Sequence, residues 1–186
     1  MASATGAATG FLISSTRRLK WPLVLGASLS VVGILCLAAM QRGWPAIWYI
    51  LCLLPGAAGG GFQFPGTFMA ALSVSEQRDQ AAVTSTLILW RSLGHVLGVA
   101  CSSLVVQNAL WHYLDVFVTG PEKEAVVGTV RKSVEAIRGL PEAYRVQVVQ
   151  SYEAALRVTF LCCAVLAVVN LLLVLPLRLP RLGKKL

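Results

Sequence analysis

No charged side chain occurs between Trp44 and Ser75, nor from Trp21 to Met40, from Ser92 to Leu114 or from Val158 to Leu177. Each run covers the about 20 residues that a helix needs to cross a hydrocarbon core about 30 Å thick. Lipid offers no partner to open backbone groups, so each run is most economically a helix. The chain is therefore expected to be all-α, a polytopic membrane bundle of about four transmembrane helices. Composition agrees: 56% of residues are hydrophobic and only 13% charged, against about a quarter charged in a soluble domain.

The net charge of +8 raises nucleic acid as a partner, but the placement of the charges argues against it. Arg17, Arg18 and Lys20 precede the first full span, and Arg178, Arg181, Lys184 and Lys185 follow the last, whereas the hairpin between the first two spans carries only Arg42. Basic residues crowd cytoplasmic connections. The 16–20 loop and the 178–186 tail are thus expected in the cytoplasm, joined by four crossings. The 115–153 connection, with five basic and six acidic side chains, then lies on the extracellular or lumenal side. Cys36, Cys52, Cys101, Cys162 and Cys163 all fall in apolar stretches without a CxxC or a Cys/His cluster, which predicts buried small hydrophobes and no metal site. An intramembrane enzyme would need convergent nucleophile, base or metal ligands, and the sequence offers none.

The spans differ in what they can do. Residues 44–75 would measure about 48 Å as one straight helix, too long for the bilayer, and LPGAAGGGFQFPG holds Pro55 and Pro65 among five glycines. A Gly/Pro-interrupted helix is expected, such as is tolerated where it packs in protein or lines a cavity. Gln63 and Thr67 stand one turn apart on it, as cavity lining or as interhelical glue. The 81–114 span carries a ladder at four-residue spacing, Gly94, Gly98 and Ser102, able to receive another helix. Arg91 begins that ladder. It is either a marker of the membrane boundary or a buried, interfacial charge, and its alignment with Gly94 and Gly98 favours a side chain facing protein, because a lipid-facing ion costs about 3 kcal/mol. His95 and His112 read as packed or interfacial residues, and Gln107 and Asn108 as polar groups near the far interface beside Trp111 and Tyr113.

The remaining segments connect these spans. Residues 1–15 are apolar but too short to cross, with their charges after the apolar part, the reverse of a secretory signal; they read as the tail of a helix that begins upstream. Residues 76–80 form a short cytoplasmic loop. In the long loop, Val127, Val130, Val134 and Ile137 recur at helical spacing and predict an amphipathic helix ended at Gly139. Pro141 starts a second helix that can run into the last span, 154–177, with Glu153 and Arg157 paired near the bilayer entrance.

The stretch QRDQAAVTSTLILWRSLGHVLGVACSSLVVQNAL resembles the region near the end of major facilitator superfamily transporters of the fungal fourteen-helix drug:proton antiporter branch, which includes multidrug exporters and vacuolar basic amino acid importers. The likeness rests on Gln80, Thr84, Ser85, Arg91, Gly94, Gly98, Val99, Ala100, Gln107 and Asn108. GFLISSTRRLKW is similar to the family's basic loop, GAAGGGFQFP to its glycine-rich span, and LPEAYRVQVVQSYEAALRVTF to the loop entering the final helix. His95 departs from the small residue usual at its position. The resemblance implies the carboxy-terminal part of a major facilitator fold, four helices and a partial one, in the plasma or vacuolar membrane. It also implies a small-molecule substrate and, in place of a cofactor, a proton gradient as energy source. Under it, Gln63, Thr67 and Trp90 would line the pathway, and Arg91, Gly94, Gly98, Ser102, Gln107 and Asn108 would serve packing or gating. Such transporters rock two halves about a central site, so this portion is expected to need a missing amino-terminal bundle or another membrane chain. The alternative is a non-transporting membrane scaffold or regulatory subunit.

Overall fold

The computed structural model describes residues 6, 9–11, 18–41, 43–120, 123–132, 139, 141–177 and 179. Its elements are five helices: α1 (Lys20–Ala38), α2 (Ala46–Ser73), α3 (Gln80–Phe117), α4 (Lys123–Lys132) and α5 (Glu142–Val174). The fold is all-α. Four stretches, α1, α2, α3 and Tyr144–Val174 of α5, are long and apolar enough to cross a membrane. Little of that apolar surface is covered within the chain: 33% of the most apolar window of α1 is buried, but only 6% of that of α3. Lipid or further protein must solvate the rest. The chain divides into two compact units, residues 1–96 with 161–186, and residues 97–160.

In the first unit α1 and α2 form a tight hairpin. Pro22 sits in the first turn of α1, where its absent N–H would have no partner. Gly43 turns the chain at φ +94°, Pro45 precedes α2, and the Tyr49 hydroxyl donates to the Gln41 carbonyl at 3.0 Å. The seam is made of small residues at helical spacing: Gly26, Ser30 and Gly33 on α1 against Gly56, Gly59, Gln63 and Gly66 on α2. A Cβ on Gly26 would stand 2.9 Å from Gln63 Cγ and 3.0 Å from the Gly59 carbonyl, and one on Gly59 would stand 2.8 Å from the Ser30 nitrogen. Backbones meet there directly, the arrangement that small residues permit inside a membrane.

The expected interruption of the second span is not a break, because α2 runs as one helix through both Pro55 and Pro65. A proline deprives the carbonyl four residues earlier of its donor. For Pro65 that carbonyl is Gly61, and the fully buried Thr9 hydroxyl donates to it at 3.2 Å. Hydroxyls of neighbouring segments satisfying such freed carbonyls are what make proline tolerable in lipid. A double-mutant cycle checks this. Thr9→Val is expected to cost about 1–3 kcal/mol in detergent unfolding of the chain, and in a Pro65→Ala background, where residue 65 regains its N–H, most of that cost should vanish; equal costs in both backgrounds would contradict the assignment.

The second unit has its own core: Leu110, Leu114, Val118, Val126, Val130, Val148 and Ala155. It joins the end of α3, the start of α5 and the buried stripe of α4. That stripe is Val126 and Val130, with the partly buried Val127 packed against the same core, so the expected face is met at Val127 and Val130 and widened by Val126; Val134 and Ile137 lie outside the described residues. Polar ties complete the unit. Ser151 Oγ lies 3.2 Å from the Tyr113 carbonyl and 2.9 Å from that of Gln147, Gln147 accepts from the Thr119 N–H at 3.2 Å, and Lys123 Nζ stands 2.7 Å from both Asp115 Oδ1 and the Asp115 carbonyl. Gly120, at φ +139°, allows Tyr144 to pack where a Cβ would otherwise stand. Along α5, Arg157 pairs with Glu153 at 3.2 Å, half exposed and of small energetic consequence.

Candidate functional site

Arg91 of α3 rests on α2. Its guanidinium carbon lies 4.2 Å from the centroid of the Phe64 ring, and Phe64 in turn meets Phe68 edge-on at 5.1 Å. Below them lies an open cleft of about 690 Å³, lined by Gly6, Gly56, Ala57, Gly60, Gly61, Phe64, Pro65 and Arg91. Residues 57, 60, 61 and 64 recur at helical spacing, so one face of α2 supplies the floor and the aromatic wall. The glycines make the floor a backbone surface. The result is an apolar cleft with, among the described residues, a single cation in its lining.

A cation over an aromatic face gains about 0.5–2 kcal/mol, less than the about 3 kcal/mol that an arginine costs at the centre of a span. Phe64 alone therefore does not offset the charge, and Arg91 must sit near the interface, in a wet cavity or beside a further polar partner. The acids of the 76–80 loop pair with Arg78: its Nε stands 2.8 Å from Glu76 Oε2 and 3.8 Å from Asp79 Oδ2. Sequence proximity explains the choice, since these pairs close within one turn.

The other pathway candidates lie apart from this cleft. Gln63 is half-buried in the α1–α2 seam, Thr67 is exposed and donates to the Gln63 carbonyl of its own helix at 2.7 Å, and Trp90 is exposed. Gly94 and Gly98 stand on an open strip. A Cβ on either would meet no atom within 4 Å, so no helix among the described residues packs on that strip. The close-packed glycine seam belongs to α1 and α2 instead. Sequence reasoning missed Phe64, although its position one turn beyond Gly60 and Gly61 on the same face was legible.

Three further candidates do come together, in the second unit. Ser102, Gln107 and Asn108 line a groove of about 720 Å³ with Ser103, Trp111 and Tyr152. The Gln107 amide donates to Ser103 Oγ at 3.1 Å, the Asn108 amide to the Leu104 carbonyl at 3.0 Å, and the Ser102 hydroxyl to the Val99 carbonyl at 3.0 Å. His95 is exposed. The cysteines do not form the expected buried set: Cys52 is buried, but Cys101 and Cys162 lie on open helix surface, because α3 and the end of α5 bury little within the chain. Among the described residues no three of His, Cys, Asp and Glu converge as metal ligands.

Comparison with known proteins gives a consistent group of relatives. The chain is 32% identical over 171 residues to MFS transporter L2 of a Phoma species, a match covering 88% of this chain and 28% of that protein. It is 39% identical over 100 residues to vacuolar basic amino acid transporter 2 of Saccharomyces cerevisiae, covering 53% and 21%. A multidrug resistance protein of Schizosaccharomyces pombe is 26% identical over 163 residues, covering 86% and 31%. The chain thus spans between about a fifth and a third of the length of these relatives. No family model and no solved structure matches it.

Proposed function

We propose that this chain, a homologue of the major facilitator superfamily transporters, supplies the carboxy-terminal helices of a secondary transporter for small organic molecules, driven by proton antiport when the remaining helices are present. The observation that carries the reading is the glycine-floored cleft lined by the stacked Phe64 and Arg91, set in a chain that aligns along 88% of its length with a transporter. Transport of this kind needs a site that two halves can alternately expose. An open apolar cleft with, among the described residues, one cation in its lining supports such a use. Drugs and basic amino acids are the substrate classes that the relatives' names suggest.

Arg91 holds α3 to α2 through the Phe64 ring and presents a charge to whatever closes the cleft. The test is a chimera in which this chain replaces the matching segment of the full-length Schizosaccharomyces pombe relative. The chimera is expected to restore substrate efflux, and the chain alone in proton-loaded vesicles is expected to give none. Arg91→Leu in the chimera should lower transport at least about tenfold, the rate equivalent of about 1.4 kcal/mol, while Arg91→Lys keeps the charge but not the planar stacking and should fall between. Gradient-driven uptake by the chain alone would refute its dependence on other helices. A well-expressed but inactive chimera would favour the scaffold alternative.

A further inference from the structure

We infer that the groove at the start of α1 is a binding site for an anionic phospholipid. The groove has a volume of about 420 Å³ and is lined by Arg18, Leu19, Lys20, Trp21, Val24, Leu175 and Leu179, within the range of about 300–1,000 Å³ usual for small-ligand sites. Its chemistry is split as a phospholipid is split. Arg18 and Lys20 are exposed cations at one end, and Val24, Leu175 and Leu179 form an apolar wall. Trp21, 52% exposed, stands between them as indoles do at the level of the headgroups. Among the described residues no acidic side chain lines the groove.

Its position fits the same ligand. Arg18 and Leu19 directly precede α1, Lys20, Trp21 and Val24 stand in its first turns, and Leu175 and Leu179 follow the end of α5 at Val174, so the groove lies at the ends of two helices apolar enough to cross a membrane. Arg18 and Lys20 also stand at the electrostatically wrong end of α1: cations at a helix N-terminus are unfavourable, the first turn has no acid, and Leu19 provides no side-chain cap. An anion held by both cations removes that penalty. Long basic side chains carry their charge to the phosphate layer while their stems remain on apolar surface.

The inference does not rest on the transport reading, and its test does not measure transport. The full chain is reconstituted in bilayers of phosphatidylcholine mixed with phosphatidylglycerol, and the lipids that stay bound after mild extraction are identified by native mass spectrometry. Phosphatidylglycerol should be retained in preference to phosphatidylcholine, with retention falling about fivefold for each cation removed by Arg18→Gln or Lys20→Gln, the factor corresponding to about 1 kcal/mol. Arg18→Lys and Lys20→Arg should keep it, Leu175→Asn should weaken it without changing charge, and Arg78→Gln, away from the groove, should leave it unchanged. Equal retention of the two lipids, or indifference to both glutamine variants, would overturn the inference. Displacement of the lipid by inorganic phosphate would also overturn it, assigning the groove to a free anion instead.

Discussion

Gly33→Leu is expected to separate α1 from α2 and to abolish the cooperative unfolding of the hairpin in detergent. The atoms that a Cβ on Gly33 would strike are the backbone nitrogen and Cα of Gly56, with the Pro55 carbonyl carbon 3.2 Å away. None of them can rotate out of the way. Even Gly33→Ala must push the helices apart, and overpacking of this kind costs about 1–3 kcal/mol. Leucine adds a branched side chain to the same point and undoes the contacts at Gly59–Ser30 and Gly26–Gln63, about one and two turns away, since all share one seam. The comparison is Gly128→Ala on α4. A Cβ there meets nothing within 4 Å, and alanine favours a helix by up to about 1 kcal/mol. A thermal midpoint that falls for Gly33→Ala, is lost for Gly33→Leu and holds or rises for Gly128→Ala would establish the seam. A Gly33→Leu chain as stable as the parent would show that α1 and α2 do not meet there.

The glycine seam also shows what the sequence leaves open. Two strips have the small-residue spacing, Gly26/Ser30/Gly33 and Gly94/Gly98/Ser102. Periodicity places residues on a face but does not say which helix meets it. The first strip is paired because a short turn through Gly43 makes α1 and α2 antiparallel neighbours. The second has no such neighbour among the described residues. The spans themselves were legible, because length and the absence of charge are one-dimensional properties. The continuity of α2 through Pro65 was not, because it depends on a hydroxyl 52 positions away from the carbonyl that it satisfies. Arg91 is a similar case: a charge at a span's edge announces the need for a partner, but a search for acids overlooks an aromatic ring. Ser102, Gln107 and Asn108 line one groove with Tyr152 of α5, a partner that the spacing along α3 does not name.

Local patterning succeeded within one residue in the 115–153 connection, and there the second large effect is expected. Val130→Asp should detach α4 from the ends of α3 and α5. Val130 is 1% exposed, in a core with Leu110, Leu114, Val118, Val126, Val148 and Ala155. Truncation to alanine removes two methyl groups, about 1.6 kcal/mol at about 0.8 kcal/mol each. A carboxylate in their place has no cation within that apolar set, and leaving a charge buried without a partner costs about 3–5 kcal/mol. The least costly response is for α4 to lift away and hydrate the new side chain, which breaks no helix of the membrane spans. Hydrogen exchange should therefore rise across Lys123–Lys132 and at the Thr119 amide, which donates to Gln147 Oε1, while α1 and α2 stay protected. Acidification gives an independent check on the cause. The neutral acid is buried more cheaply than the carboxylate, so the folded state holds its proton more tightly than the unfolded one, and the loss of stability should shrink as pH falls. Val130→Asn, of similar size and polarity but without a charge, should show no such recovery. If both variants recover alike, or if α4 remains protected in Val130→Asp, then Val130 does not lie in the core of this unit.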